Sequence, residues 1–234
     1  MNINLLTVCT DVYPTEYARK LITRFKDITE LNVTAYCITD RPEEVKDFAT
    51  PLERPFKVKG WWNKMFCYSK KLIPCGWNVY LDLDMVLCEN FDKEILYAIK
   101  KAKKVASFSD AIKWCNNDYN SSFLVFKTGA MDDVYGLWES SQREGDLTYY
   151  EGGDQVWTGQ LLEKSGQGKN VLYLDKKFPL TKQSLKFQLG VLQGDQLRLP
   201  LVKPSEVKII DCNGNPKPDQ LEAFDYIKKC WHNI

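Results

Sequence analysis

Histidine occurs once in this chain of 234 residues, at His232 close to the carboxyl end. A Ser-His-Asp triad and a His-rich zinc site both lack their parts, so acid and base work falls to carboxylates. His232 itself reads as a solvated tail residue. Also missing is any CxxC pair. The eight cysteines (Cys9, Cys37, Cys67, Cys75, Cys88, Cys115, Cys212 and Cys230) are scattered, several of them inside expected strands. Such spacing fits reduced, buried thiols in a cytoplasmic compartment rather than a secreted disulfide framework. No stretch approaches the roughly 18 consecutive apolar residues of a membrane span. The opening Met-Asn-Ile-Asn-Leu-Leu-Thr-Val has no basic flank and reads as a strand, not a signal peptide. There is no surplus of one charge either. Lys plus Arg number 32 against 31 Asp plus Glu, so no basic stripe announces nucleic acid, and an anionic ligand has to be met locally. Internal repeats, low-complexity tracts and Pro/Gly/Ser linkers are absent as well.

What remains is a chain built to bury a core. With 44% hydrophobic and 13% aromatic residues it supports one sizeable domain over residues 1–234. Short apolar runs alternate with stretches of helical period. Ile3 to Cys9 reads as a buried strand; Tyr17, Leu21, Phe25 and Ile28 recur at helical spacing behind Pro14; Asn32 to Ile38 is the next strand. A βαβ opening of this kind predicts an α/β fold with a mostly parallel central sheet flanked by helices. A short helix is expected at Pro42 to Phe48, another over Trp62 to Ile73, a strand at Trp77 to Leu83 and a helix at Phe91 to Lys101. Further strands are expected at Val105 to Phe108, Phe123 to Phe126, Val171 to Leu174 and Val207 to Ile210, and helices at Met131 to Ser141, Asp154 to Glu163 and Pro218 to Trp231.

Within the run Val79-Tyr80-Leu81-Asp82-Leu83-Asp84-Met85-Val86-Leu87, residues two apart point to one face of a strand, so Asp82 and Asp84 present paired carboxylates. Two adjacent buried anions are costly unless something positive compensates them. One carboxylate could cap a turn while the other pairs with Arg or Lys. A hard, all-oxygen site for Mg²⁺ or Mn²⁺ explains the pair more economically, and the carboxyl end of a strand is where open α/β sheets bind ligands. The same Asp-x-Asp pattern also opens haloacid-dehalogenase-like phosphatases, in which Asp82 would be the nucleophile and Asp84 the general acid. That motif normally begins its domain, whereas here a βαβ segment precedes it.

The segments Cys9-Thr10-Asp11-Val12-Tyr13, Cys37-Ile38-Thr39-Asp40, Gly60-Trp61-Trp62-Asn63-Lys64-Met65, Tyr80-Leu81-Asp82-Leu83-Asp84, Asn120-Ser121-Ser122, Gly153-Asp154-Gln155 and Gly214-Asn215-Pro216-Lys217-Pro218 span almost the whole chain in order. Taken together, they resemble the GT-A glycosyltransferases, the group containing glycogenin, the bacterial lipopolysaccharide galactosyltransferases and small soluble relatives. The resemblance implies a single GT-A, Rossmann-like domain, with a nucleotide-binding part over about residues 1–110 and a sugar and acceptor part over about 111–234. It further implies Mn²⁺ or Mg²⁺, a nucleotide-sugar donor of the UDP type, a glycan, lipid or protein acceptor, and retention of anomeric configuration. A noncatalytic sugar-nucleotide binder would carry the same residues.

By the same resemblance Thr10, Tyr13, Asp40, Lys64, Asp82, Asn120, Gly214 and Lys217 meet the donor. Read from the residues alone, Tyr13 could stack on a base or pack on Tyr17, Asp40 could bond a ribose or cap the Pro42 helix, and Lys64 and Lys217 could be solvated. Asn120 could likewise be a turn residue. Asp154 could simply cap its helix; in the resemblance it holds the sugar while Gln155 lies near the anomeric carbon. Asp154, Gln155 and Asp110 are the catalytic candidates. Asp84 is expected as principal metal ligand, with Asp82 shared between metal and donor. Asp211 stands where the family has a metal-binding His, and aspartate is an acceptable hard ligand there.

Overall fold

The computed structural model describes residues 1–10, 13–110, 118–144, 152–184, 207–212, 217–221 and 225–232. Its first unit is the expected one. Strand β1 (Asn2–Cys9) leads to helix α1 (Thr15–Ile28), entered at Pro14, and then to strand β2 (Asn32–Thr39). Strands β1 and β2 run parallel in register from Asn2 opposite Asn32 to Cys9 opposite Thr39. Helix α2 (Pro42–Val45) and strand β3 (Thr50–Glu53) follow, then a 3-10 helix over Gly60–Tyr68, strands β4 (Trp77–Leu81) and β5 (Met85–Leu87), and helix α3 (Asp92–Lys101). The later elements are β6 (Val105–Ser109), β7 (Tyr119–Lys127), α4 (Asp132–Glu144), α5 (Gly153–Lys164), β8 (Val171–Tyr173), β9 (Lys182–Ser184), β10 (Ile209–Asp211) and α6 (Asp225–His232).

Among the described residues, seven strands form the main sheet in the order β3-β2-β1-β4-β7-β6-β8, and β5-β10-β9 form a second, smaller one. The main sheet is mostly parallel, as expected; β7 runs antiparallel to both neighbours, β4 and β6. Both faces are covered, because successive residues of a central strand serve opposite cores. Leu5, Val79, Leu81, Phe123 and Val125 pack with Leu21, Phe25, Ile95 and Trp231 of α1, α3 and α6. Their neighbours Leu6, Tyr80, Leu124 and Phe126 pack on the other side with Phe66, Trp138 and Leu162. Two strands, β3 and β9, were not expected from the sequence; each is short and carries few apolar residues.

Four elements differ from expectation. The segment expected as a helix over Trp62 to Ile73 is a 3-10 helix ending at Tyr68. Its residues from Trp62 to Tyr68 are all buried, so no amphipathic face selects an α-helix, and the Asn63 amide donates to the carbonyls of Val58 at 3.2 Å and Gly60 at 2.8 Å. The strand expected to reach Leu83 stops at Leu81, and Met85 to Leu87 join the other sheet. Asn120 lies within β7 rather than before it. The helix expected over Pro218 to Trp231 comprises a 3-10 turn at Pro218–Leu221 and α6.

Candidate active site

A cleft of about 320 Å³ opens where β1 and β4 end, lined among others by Thr10, Tyr13, Trp61, Lys64, Asp82 and Asp84. The central strand delivers the carboxylates, but not by strand alternation. Asp82 still donates its backbone N–H to Ser122 O at 2.9 Å, continuing the β4–β7 ladder by one bond, after which the chain turns and Asp84 falls beyond the sheet. A turn separates two like charges that one strand face would have crowded together, and each then takes a cation of its own.

Asp82 accepts from Lys64 Nζ at 3.0 Å through one oxygen and from Tyr80 OH at 2.5 Å through the other. Lys64 comes from the buried 3-10 helix and also reaches Ser121 Oγ at 2.9 Å and Asp154 at 3.5 Å. Burial works against its charge, yet Asp154 and Asp82 together hold its pKa above the ordinary lysine value. Asp84 Oδ2 accepts from Tyr13 OH at 3.0 Å and from Lys217 Nζ at 2.5 Å. Burial raises the pKa of both aspartates. Lys64 and Tyr80 oppose the rise at Asp82, whereas the charges of Asp82 and Asp211 add to it at Asp84.

Asp211, the last residue of β10, is almost fully buried, and its Oδ2 accepts from Lys182 Nζ at 2.8 Å and Ser122 Oγ at 3.0 Å. Burial would raise its pKa, but Lys182 and Ser122 hold it below the usual carboxylate range. The Cys212 N–H donates to Asp84 O at 3.0 Å, which ties β10 to the turn carrying Asp84. Among the described residues no group of three or more His, Cys, Asp or Glu side chains is gathered as a cage for a metal ion; Asp82, Asp84 and Asp211 each face a lysine instead. The donor set still fits Mg²⁺ or Mn²⁺. Asp211 Oδ1 is buried without a hydrogen-bond partner, Asp84 feels two neighbouring carboxylates, and such cations commonly take one or two carboxylates plus substrate phosphates.

A polar chain runs behind the cleft from Lys64 through Ser121. Ser121 Oγ donates to Asp154 at 2.9 Å, its backbone N–H donates to Gln155 Oε1 at 3.1 Å, and Gln155 Nε2 donates to Asp110 at 2.6 Å. The three catalytic candidates are thereby connected. Asp154 does not cap α5: the N-cap is Gly152, in a left-handed conformation, and no side-chain cap bond forms. Tyr13 keeps its contact with Tyr17, at 5.3 Å between ring centroids, while its hydroxyl serves Asp84. Asp40 is engaged by Arg54 at 2.9 Å and does not cap α2, whose N-cap is Arg41. Gly214 lies outside the described residues. Four site residues had no role assigned from sequence: Tyr80, Ser121, Ser122 and Lys182. Tyr80 is two residues from Asp82, a spacing that could have flagged it. Lys182 sits in a short polar stretch with no signal of its own.

No protein-family model matches the chain, and no curated protein matches it. Solved structures do. The glycosyltransferase GlyE of Streptococcus pneumoniae TIGR4 is similar with a TM-score of 0.67 at 11% identity, over 98% of this chain and 61% of that one. The galactosyltransferase LgtC, in complex with donor and acceptor sugar analogs, is similar with a TM-score of 0.63 at 10% identity, over 99% of this chain and 96% of that one. Mouse xyloside xylosyltransferase 1 gives 0.58 at 11% identity, over 92% and 99%. This chain thus spans about three fifths of GlyE and nearly the full length of the other two. At such identities the likeness establishes the fold, which is the GT-A fold expected from the sequence.

Proposed function

We propose that the chain is a metal-dependent glycosyltransferase that moves a sugar from a nucleoside diphosphate sugar, of the UDP type, to an acceptor hydroxyl with retention of configuration. The observation that carries this reading is the pair Asp82 and Asp84, which line one cleft just past the carboxyl end of the central strand, each matched by a lysine, Lys64 and Lys217. In the transfer, the bond from the anomeric carbon to the diphosphate oxygen breaks with its electron pair leaving on the diphosphate, and a bond to the acceptor oxygen forms. The acceptor proton leaves with the diphosphate. Asp84, with Asp82 and Asp211, would hold Mn²⁺ or Mg²⁺, which supplies charge neutralisation to the leaving group. Lys217 adds a second positive charge there. Lys64 and Asp154 orient the sugar, and Gln155, fixed by Ser121 and Asp110, would lie near the anomeric carbon.

Residues of about 1–110 serve the nucleotide, with Thr10, Tyr13 and Asp40 among them, and about 111–234 serve sugar and acceptor, the latter a glycan, lipid or protein. A cytoplasmic setting fits the free thiols of the described cysteines. Against the phosphatase reading stands the unit β1, α1 and β2 that precedes Asp82, since that motif normally opens its domain. A thermal-shift panel of nucleotide sugars with Mn²⁺, followed by assays of UDP release, tests the proposal. A stabilising donor that is slowly hydrolysed or transferred supports it. Phosphate release from simple monoesters points instead to a phosphatase, and stabilisation without any turnover to a noncatalytic binder.

A further inference from the structure

Acids and bases are nearly equal in number over the whole chain, yet the fold sorts them. Helix α3, the turn after it and the segment that follows β8 expose six lysines: Lys93, Lys100, Lys101, Lys103, Lys176 and Lys177. None of the six forms an ion pair among the described residues, whereas nearby Lys104, Lys182 and Lys208 take Asp133, Asp211 and Glu94. The acids of the same segments are held inward. Asp92 accepts from Thr29 Oγ1 at 2.6 Å and the Glu30 N–H at 2.8 Å, Glu94 from Thr181 Oγ1 at 2.6 Å, and Asp175 from the Ser109 N–H at 2.7 Å. No arginine occurs in residues 91–104 or 171–184.

These segments share one face. Lys93, Leu96 and Lys100 recur at i, i+3 and i+7 and form the outward stripe of α3, opposite the buried Ile95 and Ala98. Glu94, Tyr97 and Lys101 recur in the same way along one edge of the helix, and the later segment is fastened to that edge. Phe178 packs edge to face on Tyr97, with 5.4 Å between ring centroids, and Thr181 bonds Glu94. Lys177, beside Phe178, is thereby brought to the edge that carries Lys101, and Leu180, beside Thr181, to the start of the stripe. Leu96 and Leu180 are 44% and 47% exposed among these lysines.

We propose that this face is a docking surface for an anionic lipid bilayer, with the lysines meeting headgroup phosphates and Leu96 and Leu180 entering the interface. Charge complementarity and composition both select that partner. A lysine is a flexible point charge whose apolar stem lies along a bilayer surface, and several together suit a diffuse array of anionic headgroups. A nucleic-acid surface calls instead for the planar forks of arginine, which this face lacks, and it would set two exposed leucines against phosphate. The inference is independent of the reading of the cleft, and neither UDP nor Mn²⁺ enters its test.

That test is flotation of the full chain with vesicles of phosphatidylcholine alone and of phosphatidylcholine mixed with phosphatidylglycerol. The chain should float with the mixed vesicles only, and added salt should release it. Two variants of equal net charge separate this face from charge in general. Lys100→Glu, Lys101→Glu and Lys177→Glu together should lower the partition coefficient at least about tenfold. Lys57→Glu, Lys71→Glu and Lys127→Glu, at exposed positions elsewhere, should leave it within about twofold of wild type. Leu96→Ser with Leu180→Ser should lower it by about tenfold as well. Thermal melts check that each variant folds; should the glutamate variant at 100, 101 and 177 fail, the same three changes to glutamine replace it and should lower partition at least about threefold. Wild-type partition in the lysine or the leucine variant overturns the inference, as does an equal loss in the control variant. A wild-type chain that ignores the mixed vesicles overturns it too, and if that chain retards a DNA duplex in a gel-shift assay the face belongs to nucleic acid instead.

Discussion

At Lys64 a single ammonium, 9% exposed at its side chain, serves Asp82 at 3.0 Å and Asp154 at 3.5 Å. Removing it leaves two buried carboxylates without their common cation, so Lys64→Met is expected to cost about 3 kcal/mol, read by urea denaturation. Asp84 behaves in the opposite sense. Its folded pKa lies above the unfolded one, chiefly through burial and then through Asp82 and Asp211. A raised carboxylate favours the fold below its unfolded pKa and loses that contribution as the pH rises through the folded value. In EDTA at pH 7.5, Asp84→Asn is therefore expected to be more stable than the parent chain, with the advantage shrinking toward pH 4.5; equal stability at both pH values would contradict this. The cysteines offer a separate check. Burial pushes the Cys9 thiol up to about 11, whereas Cys75 is exposed. Under native labelling at pH 8, Cys75→Ser should remove one rapidly reacting thiol and Cys9→Ser none.

At the level of elements, the start of α5 is the tightest junction in the site. Gly152 and Gly153 both take positive φ, and a Cβ on Gly153 would sit 2.4 Å from the Trp61 indole nitrogen. Gly153→Ala is expected to cost about 1–3 kcal/mol through the left-handed backbone alone, and to move Trp61 with a measurable change in tryptophan fluorescence. Legibility in the sequence follows from how each element is stabilised. Strands β1, β4 and β7 bury both faces and β2 does so over its second half; all four announced themselves as apolar runs, and α1 did so by its helical period. The 3-10 helix at Gly60–Tyr68 is held by Asn63 side-chain bonds and burial all round, which leave no periodic trace. Strands β3 and β9 depend on pairing partners rather than on their own composition.

Across the whole molecule, a sheet with two separate cores fixes the ends of β1 and β4 side by side, and charged residues distant in sequence meet there. Asp82 and Asp84 were legible because two acids in an apolar run demand compensation. What compensates them was only partly legible: Lys64 and Lys217 stood out through a resemblance, while Lys182 arrives by the pairing of β9 with β10 and the Ser121 link to Gln155 by the packing of α5 on β7, neither of which a local pattern encodes. Most surface ion pairs, such as Lys46 with Glu43, contribute little to this arrangement. The central claim is that Asp82 and Asp84 grip a nucleoside diphosphate through a divalent cation, and its most direct test is calorimetry of UDP binding with Mn²⁺, with EDTA, and with Asp84→Asn in Mn²⁺. The account predicts binding with Mn²⁺ that weakens by at least about tenfold in each of the other two conditions; equal affinity in all three would contradict it.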